Sequence, residues 1–127
     1  KQNIRSVLII LLVITIPDLN RLLYKGASQE PSALCLDGSP GAYYFLKGSS
    51  PDKFVLYFQG GGWCGSRDLA NTIHDCYTIG KGDLGSSKNY PATVSFTSGF
   101  ISNNEKNQFK DHTKVFLKYC DGSGHQG

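Results

Sequence analysis

The run Lys53-Phe54-Val55-Leu56-Tyr57-Phe58-Gln59 is almost unbroken in β-formers and stops at Gly60-Gly61-Gly62, followed by Trp63 and Cys64. A run of this kind reads as a strand covered on both faces, as in the interior of a parallel sheet. Glycines at its end let the backbone turn and present N–H groups with no side chains in the way. Such a loop can hold an anion. The plainer reading is a tight turn packed by Trp63, because a Gly-Gly-Gly triplet alone is a weak signal.

The segments around this run fix its setting. Ala42-Tyr43-Tyr44-Phe45-Leu46 lies between Pro40-Gly41 and Gly48-Ser49-Ser50-Pro51, which predicts a strand bounded by turns. From Asp68 onward, Leu69, Ile73 and Cys76 recur at helical spacing, with Asp68 placed to cap the helix and Gly80 to stop it. Residues 80–98 are rich in Gly, Ser, Lys and Asn and predict a long surface loop. Lys114-Val115-Phe116-Leu117-Lys118-Tyr119-Cys120 is again strand-like and runs into the turn Asp121-Gly122-Ser123-Gly124. A strand, then a helix or loop, then a strand implies a crossover in a parallel sheet, and hence an α/β class.

The 127 residues suffice for one small domain. Lys1 in place of Met, and a loop-like stretch at the other end, read as two cut ends of a longer chain. Lys1 and Arg5 precede an apolar stretch from Val7 to Ile16, interrupted at Thr15 and ended by Pro17, Asp18 and Asn20. This is the layout of a secretory signal peptide. It is shorter than the ~20 residues a membrane-spanning helix requires, so the expected contact with a membrane is only the one made during export. A buried core helix is the alternative. The expected organisation is a signal peptide over residues 1–20 with its cleavage site open, a polar lead-in over 21–32 and the domain over 33–127. The formal charge of +3 is spread without a basic run, so no nucleic-acid footprint is present.

In an exported chain the four cysteines, Cys35, Cys64, Cys76 and Cys120, allow three pairings. A Cys64–Cys76 bridge would be local and worth roughly 3 kcal/mol in the loop-entropy model, whereas Cys35–Cys120 would close a long loop worth roughly 4.6 kcal/mol. Zinc held by Cys64, Cys76 and His74 competes with the first bridge, but the spacing matches no short Cys-x2-Cys pair.

Acyl transfer is the chemistry that a fixed glycine loop serves best, because the carbonyl oxygen becomes negatively charged in the tetrahedral intermediate and backbone donors stabilise it. Three histidines are available as bases. His74 reads as a surface or capping residue, and His112 as a solvated residue ahead of a strand. His125 follows a strand's carboxyl end, where open α/β sheets place ligand sites, so it either lines a pocket or is an ordinary loop residue. Asp121 either holds its loop by accepting backbone N–H bonds or faces substrate, the structural role being favoured.

Four motifs occur in order: Ala33-Leu34-Cys35-Leu36-Asp37-Gly38-Ser39-Pro40, Gly60-Gly61-Gly62-Trp63-Cys64, Leu84-Gly85-Ser86-Ser87 and Tyr119-Cys120-Asp121-Gly122. Together they resemble the pectin acetylesterase / Notum family over residues 33–127. The resemblance implies the N-terminal part of an α/β-hydrolase-like, mostly parallel sheet, together with export and no metal or organic cofactor. It also implies carboxylic ester hydrolysis by a Ser–His–Asp triad, with acetylated polysaccharide or acylated protein as substrate. Carried onto this chain, the oxyanion donors are the amides of Gly61 and Gly62, with Trp63 replacing Gly61 if the loop slips by one position. Gly60 serves the turn, and Trp63, Asp121 and His125 border the substrate pocket. No serine here stands in a Gly-x-Ser-x-Gly elbow, and Gly122-Ser123-Gly124 is not one. The nucleophile, and the Asp and His that follow it in chain order, are therefore expected beyond Gly127, and the 127 residues alone are expected to be inactive.

A reading from another class needs no missing parts. It is a disulfide-stapled extracellular module that binds a sugar or a protein through Trp63, Tyr57 and Tyr90.

Overall fold

A computed structural model of the chain describes Leu19–Leu23 and residues 33–126. Five strands and one helix follow in the order β1 (Leu19–Leu23), β2 (Ala42–Leu46), β3 (Ser50–Phe58), α1 (Leu69–Ile79), β4 (Thr93–Val94) and β5 (His112–Leu117). The strands form one sheet ordered β3-β5-β2-β1-β4. β3 and β5 run parallel, Leu56 opposite Val115 and Phe58 opposite Leu117, so the expected crossover is present. The remaining pairs are antiparallel, so the described part of the sheet is mixed, as fits an incomplete α/β-hydrolase-like domain. The parallel pair β3–β5 requires a crossover, here the long excursion through α1 and β4.

Two sequence boundaries move. β1 is an inner strand between β2 and β4, and Leu19 is buried in the core. Residues 19–23 thus pair within the sheet. The apolar stretch from Val7 to Ile16 lies outside the described residues. β4 falls within the segment read as a loop; with two residues it is too short for any alternation to show.

The core occupies one face. Leu19, Tyr44, Ile101 and Phe116 form its buried cluster, with Leu46, Val94 and Phe96 packed against it. Phe116 stacks on Tyr44 and Tyr57 and meets Phe96 edge-on, at centroid distances of 6.0, 5.4 and 5.2 Å. Lys114 lies on the same face, fully buried. Its Nζ donates to Asn103 Oδ1 at 2.7 Å and to the Lys110 carbonyl at 2.7 Å. That ammonium ties the loop after β4 onto the sheet.

The Lys53–Gln59 run is not covered on both faces by the described residues. β3 is an edge strand, and Phe54, Leu56 and Phe58 are 59%, 60% and 53% exposed. Only its opposite face, through Tyr57, packs on the core. An unbroken apolar run records that a strand is suited to burial, but not which neighbours supply it.

α1 begins and ends where its signals stand. Asp68 accepts the Asn71 amide at 2.9 Å, and the Gly80 amide closes on the Cys76 carbonyl. Leu69, Ile73 and Tyr77 nevertheless face outward, so its packing does not follow from its apolar spacing.

Candidate functional site

Both expected bridges are present, Cys35–Cys120 and Cys64–Cys76. Neither Cys64 nor Cys76 is then a thiolate ligand, and His74 is exposed on α1, which removes the zinc alternative at these residues.

The four ordered motifs converge at the carboxyl ends of parallel β3 and β5. The Leu36 amide donates to the Cys120 carbonyl at 2.9 Å, Asp37 to Gly85 at 3.1 Å and Cys64 to Gly122 at 3.1 Å. Around Asp37, the Ser39 hydroxyl and amide and the Lys88 ammonium all engage the carboxylate. These bonds, led by the Ser39 hydroxyl, hold the carboxyl well below the usual carboxylate range. The Ser39 Oγ in turn accepts the Ser87 amide at 3.0 Å, and Ser87 Oγ donates to the Pro40 carbonyl at 2.7 Å. The first and third motifs are thereby one polar knot beneath the fourth.

In the glycine loop, none of Gly60, Gly61 and Gly62 adopts a positive φ. The absence of side chains matters instead at Gly61, where a Cβ would lie 2.0 Å from the ring of Tyr119. Gly60 and Gly62 have open space at that position. The Tyr119 hydroxyl donates to the Gly62 carbonyl at 2.8 Å. Among the described residues, the amides of Gly61, Gly62 and Trp63 meet no protein acceptor. All three residues are exposed, Trp63 to 70%.

The loop that follows β5 faces this one. Asp121 Oδ2 accepts Ser123 Oγ at 2.6 Å and the Gln126 amide at 2.9 Å, the loop-holding role favoured for it from sequence. His125 stands at φ 65°. Its ring meets Phe58 and Tyr119 edge-on, and its Nε2 lies 3.0 Å from the Gln59 carbonyl. A carbonyl only accepts, so Nε2 carries the proton in this contact, and His125 clasps the glycine loop through it. Asp121 and His125 line a cleft of about 360 Å³ together with Ala33, Leu34, Phe58 and Leu117. Trp63 is not in its lining; the indole lies over Gly124 instead.

Other candidates fall elsewhere. His112 is the first residue of β5, half-buried and edge-on to Phe109, rather than solvated. Tyr90 is only 4% exposed, its hydroxyl donating to the Asp83 carbonyl at 2.6 Å, and burial pushes its phenol up to about 12. It therefore cannot contact a ligand beside Trp63 and Tyr57. Sequence reading missed the part played by Tyr119. Its position beside Cys120 in the fourth motif was visible, but not that its ring would lie on Gly61.

Known proteins are similar to this chain in sequence and in fold. Residues 19–127 match the family model described as Pectinacetylesterase. Pectin acetylesterase 5 of Arabidopsis thaliana is 33% identical over 118 residues, covering 91% of this chain and 26% of that protein. The human palmitoleoyl-protein carboxylesterase NOTUM is 31% identical over 90 residues, covering 70% of this chain and 17% of its own length. The chain thus spans about a quarter or less of these relatives. The solved structure of the Wnt deacylase Notum from Drosophila superposes with a TM-score of 0.67 at 23% identity, over 84% of this chain and 29% of that one. That likeness shows an α/β-hydrolase-like fold, of which the described sheet is a part. With the family model matched across the sheet and all four motifs, the chain belongs to the pectinacetylesterase family.

Proposed function

We propose that these residues form the oxyanion-binding front of a secreted carboxylic ester hydrolase that works through a serine nucleophile. The observation that carries this reading is the group of unengaged amides at Gly61, Gly62 and Trp63. They sit on a loop held from both sides, at the carboxyl ends of two parallel strands. Amides fixed before the reaction need not reorganise as the carbonyl oxygen gains charge, and each is worth a few kcal/mol in the transition state. No serine of the chain stands in a nucleophile elbow. The attacking serine, and the Asp and His that activate it, are assigned to sequence outside these residues, and residues 1–127 alone are expected not to turn over esters.

The names of the relatives supply the substrate classes, an acetylated polysaccharide or an acylated protein. Water then releases the acid. Two disulfides agree with an oxidising, extracellular setting. The full-length protein is tested with p-nitrophenyl acetate and an active-site serine reagent, and turnover with labelling of one serine is expected. Absence of both would reject the hydrolase and leave the binding module, for which the exposed Trp63 and Tyr57 still speak. Activity profiled against acyl chain length separates an acetyl from a fatty acyl preference.

A further inference from the structure

We propose that Tyr119 is the positioning residue of the oxyanion loop, an inference that rests on the hydrolase reading above. Its ring is 3% exposed and lies where Gly61 would carry a side chain. Its hydroxyl donates to the Gly62 carbonyl at 2.8 Å. The peptide unit is planar and trans, so the Gly62 oxygen and the Trp63 N–H point in opposite directions from one rigid plate. Anchoring the oxygen on Tyr119 turns the Trp63 N–H away from the tyrosine. One residue further on, the Cys64 amide is held by the Gly122 carbonyl at 3.1 Å. The plate that carries the Trp63 N–H is thus fixed on both sides.

The tyrosine is itself held firmly. Its amide donates to Gln59 Oε1 at 3.3 Å, and its carbonyl lies 3.3 Å from the Tyr90 hydroxyl, whose proton is directed chiefly to the Asp83 carbonyl. The neighbouring Cys120 is bridged to Cys35. A phenol has one proton, and here it is engaged on the Gly62 carbonyl. Tyr119 therefore acts through the loop and not on the substrate. Without that anchor the Gly62–Trp63 plate is free to rotate, and the donor has to be oriented during the reaction rather than before it.

The experiment is Tyr119→Phe in the full-length enzyme, a change that keeps the ring over Gly61 and deletes only the hydroxyl. A positioning role predicts kcat lower by about tenfold with KM within about twofold, since donor alignment matters chiefly where charge develops. Affinity for a boronic acid or phosphonate transition-state analogue is expected to fall in the same ratio as kcat, with thermal unfolding nearly unchanged. Unaltered kcat and analogue affinity in the variant, beside an active parent enzyme, overturn the positioning role and leave the hydrolase reading intact. Equal loss in the binding of analogue and of unreactive substrate also overturns it, because that marks a general loss of structure. A parent enzyme with no turnover and no serine labelling overturns the hydrolase reading itself, and this inference with it.

Discussion

The sulfur of Cys64 occupies the space in which Gly122 would carry a side chain, 2.6 Å from the position of a Cβ there. Gly122 is at φ 68°, with the Leu36 methyls 3.1 and 3.2 Å from the same point. Close approach and backbone conformation therefore both require glycine, at the contact that joins the glycine loop to the loop after β5. Gly122→Ala is expected to destabilise the full-length protein by about 2–4 kcal/mol, from overpacking and from the left-handed backbone together. Gly124 is a built-in control. It has φ 78°, but its nearest neighbour is a Trp63 ring carbon at 3.5 Å, an ordinary contact. Gly124→Ala is expected to cost only about 1–2 kcal/mol, the backbone share. Denaturant unfolding of the two variants checks the difference.

The Cys64–Cys76 bridge holds α1. None of the helix residues is buried, so the bridge and the contacts at the helix end, where Gly85 lies against Gly80, are its anchorage. Replacing Cys64 and Cys76 together by serine is expected to cost about 3 kcal/mol. It should also remove hydrogen-exchange protection from residues 69–79 before the rest of the sheet opens. Retained protection there would show that packing, not the bridge, secures the helix.

Asp37 gives the fold an acid-sensitive joint. Its folded pKa is depressed below that of the unfolded chain, chiefly by the Ser39 hydroxyl. The stabilisation it supplies is accordingly complete above the unfolded value of about 3.9 and is lost as pH falls from there toward the folded value. Asp37→Asn should melt below the parent protein at pH 6, and the gap should narrow by pH 3. A gap independent of pH would assign the joint to hydrogen-bond geometry alone.

Lys114 is buried on neutral acceptors, and desolvation lowers its pKa. Lys114→Met keeps the stem and deletes the donors, leaving the Lys110 carbonyl without this partner. The expected loss is about 1–3 kcal/mol, read by thermal unfolding. Faster proteolysis within residues 95–111 should accompany it, since the ammonium fastens that loop to β5.

The sequence by itself determined the local structure. Asp68 and Gly80 bound α1, the Ala42–Leu46 run became β2 with no change of limits, and the glycines after Phe58 ended β3. These features are legible because capping, turn chemistry and strand preference act within a few residues. The four motifs likewise marked the site, since a fixed loop needs particular residues at particular places along the chain.

Only the tertiary structure decided which elements meet. Nothing local distinguishes Leu19–Leu23 from a lead-in; it is a strand because β2 and β4 flank it. Nothing local exposes Phe54, Leu56 and Phe58 either, because exposure depends on which neighbours cover a strand. The same holds in the site. His125 clasps Gln59 across 66 positions and Tyr119 reaches Gly62 across 57. Contacts at such separations follow from the parallel pairing of β3 with β5, which brings the two loops after these strands side by side.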